Sequence, residues 1–420
     1  MGRALHVAFI VLIACSLPAL AMPTGTPLGT AVDASSNYGG TIHAIEPVTE
    51  PDVNVPERLE PGEDAAIASG LGETRIDIGT GLRGETEHLD ARYRSISLEE
   101  RLAAAESDAQ RRTVIRNELS AYSALVSDLR QQEIDIARAY ADDEIDERTL
   151  LLELGLIHAR ADAYEDALYT LDASEDATTD IDVSSEIGVY RSEFETLQGP
   201  IRERIVENYR GDAAPITIFV GTATHGISLA TLEDQNYNRE TVRVDHWNPG
   251  GEHSLTSLTD AIERAETLYP WAFADERGSR SYGEASAAAY RASSDFGEGS
   301  IQIYLDRSTA NVYREYQALD VNRISPVQVV NESENDLRLS LERTYQGGPT
   351  RITVTDSTSG EPIDATVSIA NRSAGTTGDN GELWTIMPRG SVTVTATTPE
   401  ADITINYTPS PPAPDNGSDD

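Results

Sequence analysis

The sequence contains no lysine; all 32 of its basic residues are arginine. A Walker A phosphate loop, which ends on G-K-[ST], is therefore excluded. Cysteine occurs once, at Cys15, so no disulfide can close within one chain. Cations of any kind are outnumbered, with 71 Asp and Glu against 32 Arg and a formal net charge of -39. A surface of that sign repels phosphates, which argues against nucleic-acid binding by phosphate neutralisation. Beyond the first 21 residues no apolar run approaches the ~18 residues needed to cross a bilayer, so no transmembrane span is expected in the mature chain.

Charged residues make up an ordinary 25% of the chain; their sign is what is unusual. In dilute salt this excess of carboxylates repels itself and weakens the compact state. At molar salt the Debye length falls to about 3 Å and the repulsion is screened. The acid excess runs through every segment instead of sitting in one tail, which points to a protein adapted to brine.

The first 21 residues read as an export leader. Arg3 supplies a basic start, Ala4 to Ile13 an apolar core, and Ala19-Leu20-Ala21 a small-residue cleavage site, which puts the cut after Ala21. Leu12-Ile13-Ala14-Cys15 also fits a lipobox, making Cys15 an alternative lipidation site and a lipid anchor an alternative outcome. The expected location is extracellular or at the cell surface.

Residues 22–90, rich in Pro, Gly, Thr and acids, read as mostly disordered, with one short strand at Arg75–Ile78. Ser97-Leu-Glu-Glu100 then forms an S-x-x-E capping box at the start of a long helix running to about Ala141. Ile115, Leu119, Tyr122, Val126 and Leu129 repeat at 4-3-4-3, one stripe that calls for a coiled-coil-like partner. Further helices are predicted over Asp146–Leu171 and Ser184–Leu197, and from Pro200 to Tyr209, which together make 91–211 a helical bundle or hairpin. Near Gly211 the period changes to two. Residues 213–322 then read as a helix, Leu255–Ala272, on an antiparallel sheet. The Arg-Glu pair shared by Tyr237–Thr241 and Val312–Tyr316 raises a degenerate duplication without proving one. Seven short alternating strands between Val327 and Tyr407 make 326–408 a β-sandwich, and 409–420 a disordered tail. The fold class is thus multidomain α+β: bundle, helix on sheet, then sandwich.

Two resemblances add to this. Ile352-Thr-Val-Thr-Asp356, Gly360–Val367, Thr376–Leu383 and Pro388–Val394 resemble the carboxypeptidase regulatory-like domain, a transthyretin-like sandwich, over 350–408. That resemblance implies an accessory, non-catalytic module. Glu266–Phe273, Tyr304–Thr309, Tyr313-Arg-Glu315, Tyr345–Pro349 and Leu383–Gly390 are similar to a group of uncharacterised exported haloarchaeal proteins. This second resemblance implies export and the domain order, and no activity.

Chemistry-bearing clusters are few. His43-Ala-Ile-Glu46 has the H-x-x-E spacing of a metallocarboxypeptidase zinc pair, with His158 downstream, but a four-residue match in a polar segment is easily chance. Asp245 to His253 holds the densest set of candidate ligands. His246, Glu252 and His253, joined by His225 from another turn, could bind zinc, though they lack helical spacing and read as a solvated loop. Gly79-Thr-Gly-Leu-Arg-Gly84 spells G-x-G-x-x-G, but the charged segment after it is unlike a dinucleotide-binding helix and reads as a linker. The acidic turn Asp379–Glu382 could take calcium, although no EF-hand is present. N-x-[ST] sequons at Asn331, Asn371, Asn406 and Asn416 are candidate glycosylation sites. No catalytic residue, metal site or cofactor is nominated.

The leading expectation is a non-enzymatic exported cell-surface protein of a halophile, with a helical stalk presenting β-rich modules to a protein or glycan. The alternatives are an exported hydrolase or metalloprotein using the 225–253 loops, and an envelope assembly factor acting through the long helices.

Overall fold

The computed structural model describes residues 58–62, 67–175, 184–233, 235–273, 278–345 and 347–408. Chain order begins with β1 (Ala68–Glu73) and five helices: α1 (Ile78–Ala103), α2 (Asp108–Ala141), α3 (Glu147–Glu175), α4 (Ser184–Glu195) and α5 (Pro200–Arg210). The meander β2 (Thr217–Ala223), β3 (Gly226–Glu233) and β4 (Asn236–Arg243) follows, then α6 (Leu258–Leu268) and α7 (Pro270–Phe273). A second meander comprises β5 (Ser279–Ser286), β6 (Ala289–Phe296), β7 (Gly299–Asp306) and β8 (Val312–Asp320). Last come β9 (Gln328–Glu334), β10 (Leu337–Arg343), β11 (Pro349–Asp356), β12 (Thr366–Ile369), β13 (Arg372–Thr376), β14 (Glu382–Ile386), β15 (Val392–Thr397) and β16 (Asp402–Tyr407). The fold is mixed α+β and multidomain.

The central layer is one antiparallel eight-stranded sheet in the order β1-β2-β3-β4-β8-β7-β6-β5. Both faces are covered, which is why β2 and β3 read as nearly continuous apolar runs. Ile218, Val220, Ile227 and Leu229 pack on α2, α3 and α5 through Ala137, Leu150, Leu154, Ile201 and Ile205. On the other face Phe219, Ala230 and Tyr237 meet Tyr345 and Ile386 of the C-terminal module, while α6 and α7 cover Ile301, Ile303 and Leu305. Each fully buried Leu or Ile contributes about 1.5–3 kcal/mol. The C-terminal module is two four-stranded sheets, β14-β11-β10-β9 and β13-β12-β15-β16, closed over Leu339, Leu341, Val354, Val367 and Val394.

The central pair β4–β8 bears on the suspected duplication. Arg239 lies opposite Gln317, and Glu240 opposite Tyr316. Since side chains alternate faces, Arg239 shares a face with Glu315, and Glu240 with Arg314. A two-fold rotation relating the two meanders preserves faces, so it cannot superpose the two Arg-Glu pairs. Their likeness is not a trace of symmetry.

Residues 67–90 depart most from expectation. In place of disordered chain they form β1 and the first half of α1, and the strand lies at Ala68–Glu73, upstream of Arg75–Ile78. Asp77 caps α1 by accepting from the Thr80 N–H at 2.9 Å. Ser97 is therefore mid-helix, and the break falls at residues 104–107, where Ser107 caps α2. The G-x-G-x-x-G glycines lie in the first turns of α1, where Gly84 faces Ala159 and Gly81 the Tyr209 carbonyl; a Cβ there would make ordinary contacts of 3.7 and 3.6 Å, so the packing does not demand glycine. Thr80, Gly84, Ala91 and Leu98 form the buried face of α1. Ile78, Leu82, Leu89, Tyr93 and Ile96, on its opposite face, stay exposed. The stripe predicted from Ile115 to Leu129 is buried in α2, in a cluster with Ile157 and Leu168 of α3, Phe194 of α4 and Leu197 in the turn after it.

Candidate functional site

The residues of the 225–253 loops do not converge. His225 is exposed in the turn between β2 and β3, and Glu252 and His253 are exposed further on. His246 Nδ1 lies 2.7 Å from the Val312 carbonyl oxygen, a structural bond. Among the described residues no three His, Cys, Asp or Glu side chains are grouped to hold a metal ion. The loop is also well tethered. Asp306, fully buried, accepts from the backbone N–H groups of Asn248, Ser308 and Thr309, and Trp247 packs on Tyr313 with ring centroids 4.4 Å apart. His43, Glu46, Ala21, Cys15 and Asn416 lie outside the described residues. Asn331, Asn371 and Asn406 are exposed on the C-terminal sandwich, and Asn406 accepts from the Thr393 hydroxyl at 2.9 Å. In the turn around Asp379–Glu382, the Asn380 carboxamide oxygen accepts from the Glu382 N–H at 3.2 Å.

A cavity of about 540 Å³ lies where α1, α3 and α5 meet β8. The sequence builds it simply. In α3 the run Leu154-Gly-Leu-Ile-His158 turns His158 inward, and the ring is 9% exposed. Gly199-Pro200 starts α5 with proline in its first turn, where the missing N–H costs no helical bond. Gly199 must be glycine, because a Cβ there would collide with the Glu240 carboxylate. From β8, Arg314 reaches the cavity between Tyr304 and Tyr316, its guanidinium carbon 4.9 and 4.4 Å from their ring centroids. It also donates to the Gln198 carbonyl at 3.4 Å.

Buried His158, Ala159, Gly199, Val206 and Arg314 make the floor, and exposed Asp162, Glu203 and Asp212 the mouth. His158 Nδ1 and Arg314 Nε are buried without hydrogen-bond partners. Burial, reinforced by Arg202 and Arg314, pulls the His158 pKa down to about 3, so the ring is neutral at ordinary pH. Burial raises the Asp162 carboxyl, and nearby Asp166 adds to this. Behind the floor sits a buried ion cluster. Arg202 meets Glu133 of α2 at 2.5 Å and Glu240 of β4 at 3.2 Å, and Glu240 also accepts from the Ile201 N–H at 3.0 Å. The cluster bolts the helices to the sheet.

In the sequence His158 stands out only as a residue downstream of the His43–Glu46 spacing, and Arg314 only within Tyr313-Arg-Glu315. No local spacing links two residues so far apart in the chain; the pairing of β4 with β8 brings them together.

A family model described as a domain of unknown function (DUF7096) matches residues 1–214, just over half of the chain. The chain belongs to this family. A family of unknown function (DUF7094) matches residues 218–325, and an archaeal fibronectin-III type-like domain matches 328–405. The last match takes in β9 and β10 as well as the segment that carried the regulatory-domain resemblance. This DUF7096 chain thus ends in an archaeal fibronectin-III-like sandwich, a structural or binding module. No curated protein and no solved structure matches it. No helix among the described residues is long and apolar enough to cross a membrane.

Proposed function

We propose that this is an exported, non-enzymatic protein of a halophilic archaeon, in which the helices and central sheet hold the C-terminal sandwich as a rigid binding or structural module at the cell surface. One observation carries this reading: the sandwich is keyed to the rest of the fold instead of hanging from a linker. Arg389 pairs with Glu60 and its N–H donates to the Ser69 hydroxyl. Arg372 meets Glu147 at 2.8 Å and donates to the Leu71 carbonyl at 3.1 Å. Apolar Tyr345 and Ile386 continue the core of the sheet. A module fixed this way presents its loops at a set angle, which suits a surface scaffold. The carboxypeptidase regulatory-like resemblance agrees, since that domain too is an accessory sandwich. The leader-like first 21 residues and the net charge of -39 support export into brine.

Cell fractionation with amino-terminal sequencing tests the location. A product cut after Ala21 and recovered from the envelope or medium is expected; a full-length cytosolic product would overturn the reading. A hydrolytic activity abolished by His246→Ala with His253→Ala would overturn its non-enzymatic part.

A second reading, an assembly factor acting through the long helices, has one observation in its favour. The exposed stripe on α1 is nearly palindromic about Glu87: Ile78 and Ile96 lie nine residues either side, Leu82 five before and Tyr93 six after. Such a stripe suits isologous pairing with a second copy. Sedimentation equilibrium in multimolar potassium chloride decides. A dimer dissociated by L82E with L89E supports this reading, and a monomeric wild type removes it.

A further inference from the structure

We propose that the cavity between α3, α5 and β8 is a binding site for an amino-acid-sized zwitterion, taken carboxylate first. Its volume, about 540 Å³, falls in the range of small-molecule sites and far exceeds what one halide or water fills. Its floor is built and incompletely satisfied. Arg314, only 6% exposed, lines it without a close counter-ion, and the Arg314 Nε–H and His158 Nδ1 behind its surface are sealed without a partner. Buried polar groups normally find hydrogen bonds, and side chains left short of them beside a cavity can turn to meet a ligand. A buried guanidinium asks for an acceptor, above all a carboxylate. Arg314 is only loosely matched within the chain, its ion pair with Glu195 spanning 3.9 Å.

The mouth has the opposite sign. Asp162, Glu203, Glu207 and Asp212 ring the opening, while Arg210, the cation among them, is held by Glu85 at 3.0 Å. A free anion would have to pass this ring, and a free cation would leave Arg314 unanswered. A molecule with a carboxylate at one end and an ammonium at the other satisfies floor and mouth together. The neutral imidazole of His158 adds a hydrogen bond without adding charge. The apolar walls, Ala159 and Val206, accommodate the methylenes between.

The test is titration calorimetry on the full mature chain in multimolar potassium chloride. The probes are 6-aminohexanoate and its two single-charge analogues, hexanoate and hexylamine, with the His158 ring followed by NMR. Saturable 6-aminohexanoate binding at least tenfold tighter than either analogue, with a shifted His158 resonance, is expected. Arg314→Gln should abolish it. Because that change also loosens the floor, Asp162→Asn at the exposed mouth is the second variant. It should weaken 6-aminohexanoate severalfold and leave hexanoate unchanged. Hexanoate binding as tightly as 6-aminohexanoate, an unmoved His158 resonance, or an Asp162→Asn variant with wild-type affinity would each overturn the proposal.

Discussion

The helix–sheet junction and the C-terminal sandwich bury different things. At the junction Arg202, Glu133, Arg239, Glu240, Arg314 and Glu315 are all buried, whereas in the sandwich Arg343 is buried in the module itself and the Arg389 side chain is buried only at its seam with Glu60. The junction charges are cross-paired. Arg239 meets Glu315 at 2.7 Å and donates to the Leu59 carbonyl at 2.7 Å, while Glu315 accepts from the Leu59 N–H at 2.8 Å. These bonds strap residues 58–62 to the sheet. Apolar contacts tolerate sliding; paired charges do not. The junction therefore fixes one register between layers, at a desolvation cost that apolar contacts avoid. The sandwich follows the simpler rule, alternating Leu, Ile and Val, and depends on nothing outside itself for its core.

Breaking the junction should have the largest effect. Arg202→Met strands Glu133 and Glu240 as buried carboxylates without a counter-charge and should cost about 3–5 kcal/mol. Hydrogen exchange should place the loss in α2, α5 and β4 and leave β10, β12 and β15 protected. Adding Glu133→Gln and Glu240→Gln should recover most of it. Equal loss across the sandwich would show that the two regions are not energetically separate.

Acid sharpens the same contrast. His158 titrates near 6.5 when unfolded and near 3 when folded, so its contribution is complete above pH 6.5 and drains away as pH falls toward 3. By pH 5 the loss should be about 2 kcal/mol. His158→Gln should flatten this part of the stability–pH curve, read from urea unfolding at fixed salt. A slope unchanged by the substitution would mean that the ring is not held neutral.

In the sandwich the sign of a charge deletion should reverse. Arg343 lies over the Tyr407 ring, 4.3 Å from its centroid, with Nε and one terminal nitrogen unpartnered. Burial alone draws its guanidinium down to about 10. No acid depends on it, and Tyr407 keeps its bond to Gln328 at 2.8 Å. Arg343→Met should be neutral or stabilise by about 1 kcal/mol. Thermal unfolding in fixed salt reads the difference, and a loss near that of Arg202→Met would end the comparison.

How much was legible in the sequence divides along the same line. The sandwich strands follow period-two alternation, and Pro200 with Gly211, the latter left-handed at φ 85, bracketed α5. β5 and β6 were missed because Ser-Arg-Ser-Tyr-Gly-Glu-Ala-Ser and Ala-Tyr-Arg-Ala-Ser-Ser-Asp-Phe are poor in branched residues. They form strands because β7 pairs with β6 and because Tyr290 and Ala292 are buried under α6 and α7. The cavity was illegible for a different reason. Burial made His158 and Arg314 significant, and burial at the junction is set by topology, not by local pattern.

The start of α1 gives the finest test of that distinction. The sequence pattern puts the cap at Ser97, with its S-x-x-E box; the structure puts it at Asp77, before three glycines. Each interior glycine costs a helix about 1 kcal/mol relative to alanine, which argues for starting late. The structure starts early because Thr80 and Gly84 are buried in the first turns of α1, and because Asp77 caps the helix while meeting Arg148 at 3.2 Å. Backbone bonding to Thr80, the largest influence, holds the Asp77 carboxyl below its usual range, as a working cap requires. Asp77→Ala should therefore cost about 1 kcal/mol. Ser97→Ala removes no cap, and because alanine is the better former inside a helix it should be neutral or slightly stabilising. If the two costs came out reversed, α1 would begin at Ser97, and the burial of Thr80 and Gly84 could not be what holds its first turns.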